Sequence, residues 1–413
     1  MPNTFFITTP IYYVNDVPHI GHAYTSIACD FIARYKRMSG VETIFLTGTD
    51  EHGQKIQKAA EKNNISPLDL CNKNSKKFND LTKILNLSND DFIRTTEERH
   101  KVGAKTLWKK LLASGDVYLG NYEGWYSIND ETFYNEKDLI KQSDGSFKTI
   151  TGGPVEWIKE ESYFFRLSKY ADRLIEYYKN NPDFILPQSR KNEVISFVKG
   201  GLKDLSISRN TFDWGIQVPD DEKHVMYVWL DALSSYPNSL GYITDDKPEL
   251  KKYWENATHI VGKDILRHHA VYWPAFLMSA NLILPKRIFA HGWWTNEGNK
   301  ISKSLGNVID PVEIIKDYGL DQIRYFLLRE ITFGSDGDFS LTALKSRINA
   351  DLSNDLGNLC QRSLTMISKH CDSIIPDGKN INEKEKELLD RITSESERFS
   401  KMVNEQNINN YVK

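Results

Sequence analysis

Apolar positions recur along the chain with two different periods. Thr4 to Thr9 is an unbroken run of β-prone residues ending at Pro10, and it predicts a strand. Ile20, Tyr24, Ile27, Phe31, Tyr35 and Met38 then return at helical spacing, which predicts one helix with an apolar face. Gly40 stands where a helix-ending glycine belongs. A second apolar run, Thr43 to Thr47, leads into Gly48-Thr49-Asp50-Glu51-His52-Gly53. Strand, helix and strand in this order make one β-α-β unit. Such units build parallel sheets, and their ligands sit at the C-terminal strand ends. The Pro10–Gly21 loop and the Asp50 loop both fall at that edge.

From Lys55 to about Leu112 the pattern is helical and rich in polar residues. Tyr118 to about Pro154 changes character. Its short aromatic runs and the Asp144-Gly145 turn predict a small inserted β-rich module. Helical spacing returns over Leu167–Tyr178. Met226–Leu230, His259–Gly262 and Arg287–Gly292 each predict a further strand of the parallel sheet, and the chain from about Leu341 onward is helical in pattern.

Composition narrows the function classes. The 413 residues are 40% hydrophobic and 26% charged, the balance of a globular chain with room for several domains. No apolar run is long enough to cross a bilayer, and the first residues carry no basic region, so the expected location is the cytoplasm and no membrane partner is expected. A net charge of −3 argues against indiscriminate coating of nucleic acid but leaves room for a local basic face. Cys29, Cys71, Cys360 and Cys371 form no Cys-x-x-Cys pair, so reduced thiols are expected and the usual thiolate zinc knuckle is missing.

Two short segments carry candidate chemistry. Pro18-His19-Ile20-Gly21-His22 opens the first helix. A helix N-terminus offers unbonded N–H groups and a partial positive charge, Gly21 lets a nucleotide approach the backbone, and His19 and His22 both project from the first turn. Trp294 to Ser304 contains a turn at Asn296–Gly298 and then Lys300-Ile301-Ser302-Lys303-Ser304. Lysines on such a loop can grip a triphosphate and stabilise a departing pyrophosphate. Taken singly, the histidines are equally well helix caps, and the lysines a solvated loop.

Together, in this order and in these sheet contexts, the two segments resemble the paired signatures of class I aminoacyl-tRNA synthetases. The second departs only at Ile301, where methionine is commoner. Thr9-Pro10-Ile11-Tyr12-Tyr13-Val14-Asn15, the Gly48–Gly53 segment, Val228-Trp229-Leu230-Asp231-Ala232-Leu233 and Gly262-Lys263-Asp264 extend the resemblance, over nearly the whole chain, to the methionyl-tRNA synthetases.

That resemblance implies a fold, an activity and a site. The fold is α/β: a Rossmann-like parallel sheet in halves 1–117 and 226–290, a connective-peptide insertion with flanking helices over 118–225, a lysine-loop stem-contact region over 291–344, and an incomplete helical anticodon-binding bundle over 345–413. The activity is ATP-dependent formation of methionyl-adenylate and transfer of the methionyl group to tRNA(Met). His19, His22, Lys300 and Lys303 are the implied catalytic groups. The Ile11 backbone and Asp50 would hold the methionine ammonium, and Tyr13, Trp229, Ala232, Leu233, Tyr236, Ile265 and His269 would line its thioether pocket. Gly21, Lys263, Asp264, His291, Gly292 and Ser302 would join the catalytic groups around ATP, with magnesium on the phosphates.

Asn358 and Arg362, four apart on a helix, would read the anticodon. The resembling insertion ends, Gly124–Glu131 and Gly153–Ser168, enclose no cysteine, so no zinc and no other protein-bound metal is expected. The chain is expected to be a monomer, and to be truncated at Lys413, active on methionine but weak on tRNA. Three rival readings stand beside this one. They are a metal-dependent hydrolase using His19, His22, Asp50, Glu51 and His52, a smaller nucleotidyltransferase, and a tRNA-binding paralogue without activity.

Overall fold

The computed structural model describes residues 3–15, 17–128, 132–150, 152–301, 307–379 and 381–413. The chain divides into two compact units, Met1–Pro18 with Lys36–Ala290, and His19–Tyr35 with His291–Lys413.

The first unit is built on a parallel sheet. Strand Thr4–Thr8 lies between Glu42–Asp50 and Ala257–Gly262, with Thr8 level with Leu46 on one side and His259 on the other. Arg287–His291 and Ile185–Leu186 continue one flank, and Tyr12–Tyr13 and Asp91–Arg94 pair with Glu42–Asp50 on the other. Phe6, Ile7, Phe45, Leu46, Ile260 and Val261 are all buried, as expected for a parallel sheet covered on both faces. The first strand therefore sits where the connections diverge to left and right. That switch point is where ligands bind in open α/β sheets. Burying each such side chain contributes roughly 1.5–3 kcal/mol.

Two elements differ from the sequence pattern. The Lys55–Leu112 stretch contains helices Gln54–Lys62, Pro67–Ile84 and Glu98–Ala113, but also the edge strand Asp91–Arg94. Only Phe92 and Ile93 are apolar in it, too little for a period of two to show. Its backbone comes so close to Gly48 that a β-carbon there would lie 2.0 Å from the Ile93 carbonyl oxygen.

The second difference is larger. Met226–Leu230 is not a sheet strand. Asp221–Met226 is antiparallel to Ser208–Arg209 and Gln217–Val218 in a small separate sheet, and Val228–Ser239 is a helix. The apolar run Met226–Leu230 spans the last strand residue and the first turn of that helix, so five residues at the junction show neither period; every helix residue except Trp229 is buried.

The insertion is a long antiparallel ladder of Val117–Ser127 on Glu156–Phe165, with Thr132–Tyr134 and Leu205–Ser206 at its edges. Trp125 packs on Trp157 and Phe147 within it.

The second unit begins with the helix Ile20–Met38. Its buried Asp30 is bonded by Arg34 at 2.8 Å and Arg324 at 2.5 Å. Tyr411 packs edge-on against Phe31, Tyr35 and Phe399, so the end of the chain returns to this helix. A three-stranded sheet of Trp294–Asn296, Asn299–Lys300 and Gly337–Phe339 follows, with Glu297 and Gly298 at positive φ in its tight hairpin turn. Helices Pro311–Tyr318 and Leu320–Arg329 come next, and from Leu341 onward the described chain is mainly helical, as its pattern predicts, over Leu341–His370 and Glu383–Asn404. No helix among the described residues is long and apolar enough to cross a membrane.

Candidate functional site

Within the first unit, the C-terminal end of Glu42–Asp50 delivers the buried Asp50 beside Tyr13, its parallel neighbour in register. The segment after Asp50 is pinned from several directions. Glu51 accepts two bonds from Arg94, at 2.7 and 2.9 Å, and hydroxyl bonds from Thr49 and Thr96. The Trp214 indole donates to the Glu51 carbonyl, and Gly53 N–H donates to the Trp214 carbonyl. Charge-assisted, bidentate pairs of this kind fix geometry as well as adding energy.

Ile11, Ala232, Leu233 and Tyr236 belong to one buried apolar cluster, and Tyr13, Trp229 and Ile265 pack against it. His269 joins them through hydrogen bonds. Its Nδ1 lies 3.0 Å from the Ile265 carbonyl, which can only accept, so Nδ1 carries the proton. Nε2 must then accept from the Tyr236 hydroxyl 2.8 Å away. Burial pushes the His269 pKa down to about 4, so the ring is a neutral part of the wall. Trp229 stacks flat on His268 with ring centres 3.8 Å apart. The sequence reading missed His268; its only signal was adjacency to His269.

Lys263 and Asp264 lie in the turn that follows Ala257–Gly262, at the same C-terminal edge of the sheet. They line a cavity of about 660 Å³ with Ser189, Asn192, Glu193 and Arg267.

Within the second unit, the histidine helix is tied to the chain that follows the lysine segment. The Ile20 amide donates to the Ile309 carbonyl at 3.1 Å, so the chain just beyond the lysine segment is tied to the start of the histidine helix. The Asn296 side chain donates to the Asn307 carbonyl at 2.9 Å and ties the hairpin to the same stretch. Lys300 closes that hairpin as a strand residue. Ser302 and Lys303 lie outside the described residues.

The first helical amides are already engaged, contrary to the expectation of unbonded N–H groups. Gly21 donates to the Nδ1 of His19, and His22 and Ala23 donate to the His19 carbonyl. The His19 amide donates to the Nδ1 of His22 at 3.0 Å. Both rings accept at Nδ1, which leaves the proton of each neutral ring on Nε2. Burial, and then the His19 charge, holds the His22 pKa well below the usual histidine value. The structure thus presents imidazole donors rather than backbone donors, beside the positive end of the helix dipole.

His291 is engaged at both ring nitrogens, by the Gly292 carbonyl and the Thr25 hydroxyl, each at 2.8 Å, and Thr25 also reaches the Gly21 carbonyl. A β-carbon on Gly292 would lie 2.4 Å from backbone atoms of Ser335 and Asp336. This glycine is required by close chain packing. Asn358 and Arg362 are exposed on the helix Asn358–His370, far in sequence from the histidine pair.

Among the described residues, no group of three or more His, Cys, Asp or Glu side chains is arranged to hold a metal ion. The ligands imagined for a hydrolase are committed elsewhere: Glu51 to Arg94, and His52 to Asp231 at 2.7 Å.

The buried neutral histidines make an acid-sensitive fold. His268 and His269 titrate in the folded chain at about 3 and about 4, against 6.5 unfolded, with burial the largest cause in each. The unfolded chain binds more protons below pH 6.5, so their contribution is full above 6.5 and is lost as pH falls toward 4. Together they should remove about 4 kcal/mol between pH 7.5 and 5. Urea unfolding midpoints at the two pH values check this, and equal midpoints would contradict it.

A parallel sheet with a topological switch point, and a histidine-pair helix tied to a lysine hairpin, are the architecture of a nucleotide-using α/β enzyme. A family model of class I tRNA synthetases (M) matches residues 5–148 and 144–364. The chain is 60% identical over 376 residues to the methionine--tRNA ligase of Rickettsia felis, covering 91% of this chain and 72% of that one. It is 55% identical over 402 residues to that of Brucella suis, covering 97% and 78%. A solved Mycobacterium tuberculosis methionyl-tRNA synthetase in complex with methionyl-adenylate superposes with a TM-score of 0.96 at 49% identity, covering 99% of this chain and 80% of that one. The chain belongs to the methionine--tRNA ligase family of class I tRNA synthetases.

Proposed function

We propose that this protein activates L-methionine with ATP and transfers the methionyl group to tRNA(Met). The methionine carboxylate attacks the α-phosphorus of ATP, a phosphoryl oxygen bond breaks, and pyrophosphate leaves. The attacking group is already an anion, so no protein nucleophile or base is needed, and catalysis is positioning plus charge stabilisation. ATP enters as its magnesium complex.

Asp50 and the Ile11 backbone hold the ammonium of methionine. Tyr13, Trp229, Ala232, Leu233, Tyr236, Ile265 and His269 enclose its side chain. The observation that carries this assignment is the His269 ring, neutral and hydrogen-bonded between Tyr236 and Ile265 in an otherwise apolar wall. Such a wall suits a soft thioether and offers nothing to a charged side chain. His19 and His22 donate through Nε2 to phosphate oxygens, with Gly21 between them. Lys300, Ser302 and Lys303 contact the leaving pyrophosphate, and Lys263 and Asp264 the ribose or phosphates. His291 and Gly292 shape the adenine side by holding backbone in place.

In the second step the terminal adenosine of the tRNA takes the methionyl group on its 2′-hydroxyl. Asn358 and Arg362 contact the anticodon from one exposed helix face. We place the protein in the cytoplasm as a monomer, which size-exclusion chromatography checks. Methionine-dependent exchange of pyrophosphate into ATP tests the central reading. Robust exchange with methionine and none with other amino acids is expected; no exchange with any amino acid would sink it.

A further inference from the structure

The helix Val228–Ser239 carries four of the residues assigned to the thioether pocket, yet its one acid, Asp231, faces a different set of partners. Asp231 is fully buried. One of its carboxylate oxygens is bonded by His52 Nδ1 at 2.7 Å, the other by His100 Nε2 at 2.5 Å. His100 lies on the helix Glu98–Ala113. Its Nδ1 accepts from the Asn238 side chain, which sits further along the Asp231 helix and also donates to the His100 carbonyl. His52 stands two residues after Asp50, and its ring packs edge-on against Trp214, whose indole bonds the Glu51 carbonyl.

Burial raises the pKa of Asp231, but the neighbouring charge of His52 and the bonds from both histidines outweigh it and leave the carboxyl at about 2. An ionised carboxylate with no access to water is tolerable only while both imidazoles donate to it.

We propose that the His52–Asp231–His100 bridge is a positioning device that sets the spacing between the ammonium-binding Asp50 and the thioether-binding helix, and so determines recognition of methionine. The inference rests on the reading of the methionine site given above. His52 fixes the Asp50 segment to Asp231, and Asp231 fixes the register of Trp229, Ala232, Leu233 and Tyr236. Removing either link frees one half of the amino-acid site relative to the other. ATP recognition, assigned to other residues, is untouched by this change.

The histidine geometry supplies matched substitutions. His52 donates through Nδ1, a position that the asparagine amide reproduces, and His100 through Nε2, which glutamine reproduces. His52→Asn and His100→Gln are therefore expected to keep the KM for methionine within about threefold of the parent. His52→Leu and His100→Leu are expected to raise it roughly tenfold or more, because a hydrogen bond to a buried charge is lost. The KM for ATP should stay within about twofold in all four.

Pyrophosphate-exchange kinetics, with enzyme concentration set by the burst of adenylate formed, separate this from simple loss of folded protein. A merely structural role lowers the burst and leaves the methionine KM of the remaining enzyme unchanged, and that result overturns the proposal. Equal effects of donor-keeping and donor-removing variants also overturn it. If a leucine variant does not fold, the His52→Asn and His52→Gln pair decides the matter, since glutamine places its donor out of register; an equal methionine KM for both overturns it. Absence of methionine-dependent exchange in the parent protein is a different failure, which removes the reading of the site and this inference with it.

Discussion

His22→Ala is expected to slow methionine-dependent pyrophosphate exchange by about 10²–10³-fold, while the KM for methionine moves by less than about threefold. The reason lies in the proton on Nε2. The His19 amide occupies Nδ1 of His22, so the ring can offer a hydrogen bond only at its far nitrogen. Its lowered pKa keeps it neutral across the physiological range, so donation does not depend on protonating the ring. A fixed donor aimed at charge that grows in the transition state stabilises that state more than the bound substrate. His22→Gln, which retains a side-chain N–H near the Nε2 position, should recover part of the loss. Alanine also removes the acceptor for the His19 amide, so a thermal melt should accompany the kinetics. Proportional losses in rate and methionine affinity would contradict the assigned role.

Asp50→Asn should act on the other substrate. A buried carboxylate that holds an ammonium ion contributes charge, and the amide keeps the shape without it. Breaking a buried ion pair by neutralising one partner typically costs 3–5 kcal/mol. We therefore expect kcat/KM for methionine to fall by about two to four powers of ten, with the KM for ATP nearly unchanged. The pinning of Glu51 by Arg94, Thr49 and Thr96 should hold the segment in place in the variant, so that the loss reports on charge and not on collapse of the loop. An unchanged methionine KM in Asp50→Asn would remove Asp50 from the substrate site.

The two experiments dissect the reaction along a division already present in the fold. Asp50 and the residues proposed for the thioether wall belong to the first compact unit, and the histidine pair with the lysine hairpin to the second. Each side can be perturbed through its own substrate, and the acid sensitivity of His268 and His269 sets the pH range in which to work. Above pH 6.5 those rings contribute their full stabilisation.

Much of this was legible in the sequence because it is local. Strand Thr4–Thr8 and helix Ile20–Met38 have clean periods, bounded by Pro10 and Gly40, and the structure places them where the pattern does. The turn before Lys300 follows from the turn-forming Asn296 and Gly298, and the positive φ falls at Glu297 and Gly298. The residues proposed for the thioether pocket came from motif resemblance; Ala232, Leu233 and Tyr236 lie in one apolar cluster, with Tyr13, Trp229 and Ile265 packed against it.

A short window misleads where two elements join. The apolar run Met226–Leu230 reads as one strand but spans the end of the strand Asp221–Met226 and the first turn of the helix Val228–Ser239, and the edge strand Asp91–Arg94 is too short to show a period.

The chain by itself determined the first β-α-β unit, the strands Ala257–Gly262 and Arg287–His291, the histidine and lysine segments and the apolar character of the residues proposed for the pocket, because these depend on neighbours in sequence. Only the tertiary structure decided how those pieces act together. It engaged the first amides of the helix with the Ile309 carbonyl and with His19, and left the protons of both imidazoles on Nε2. It set the tautomer of His269 through Ile265 and Tyr236. It joined His52, His100 and Asp231 across widely separated segments. Each of these outcomes depends on which acceptor lies within hydrogen-bond reach of which donor, a distance that no one-dimensional spacing contains.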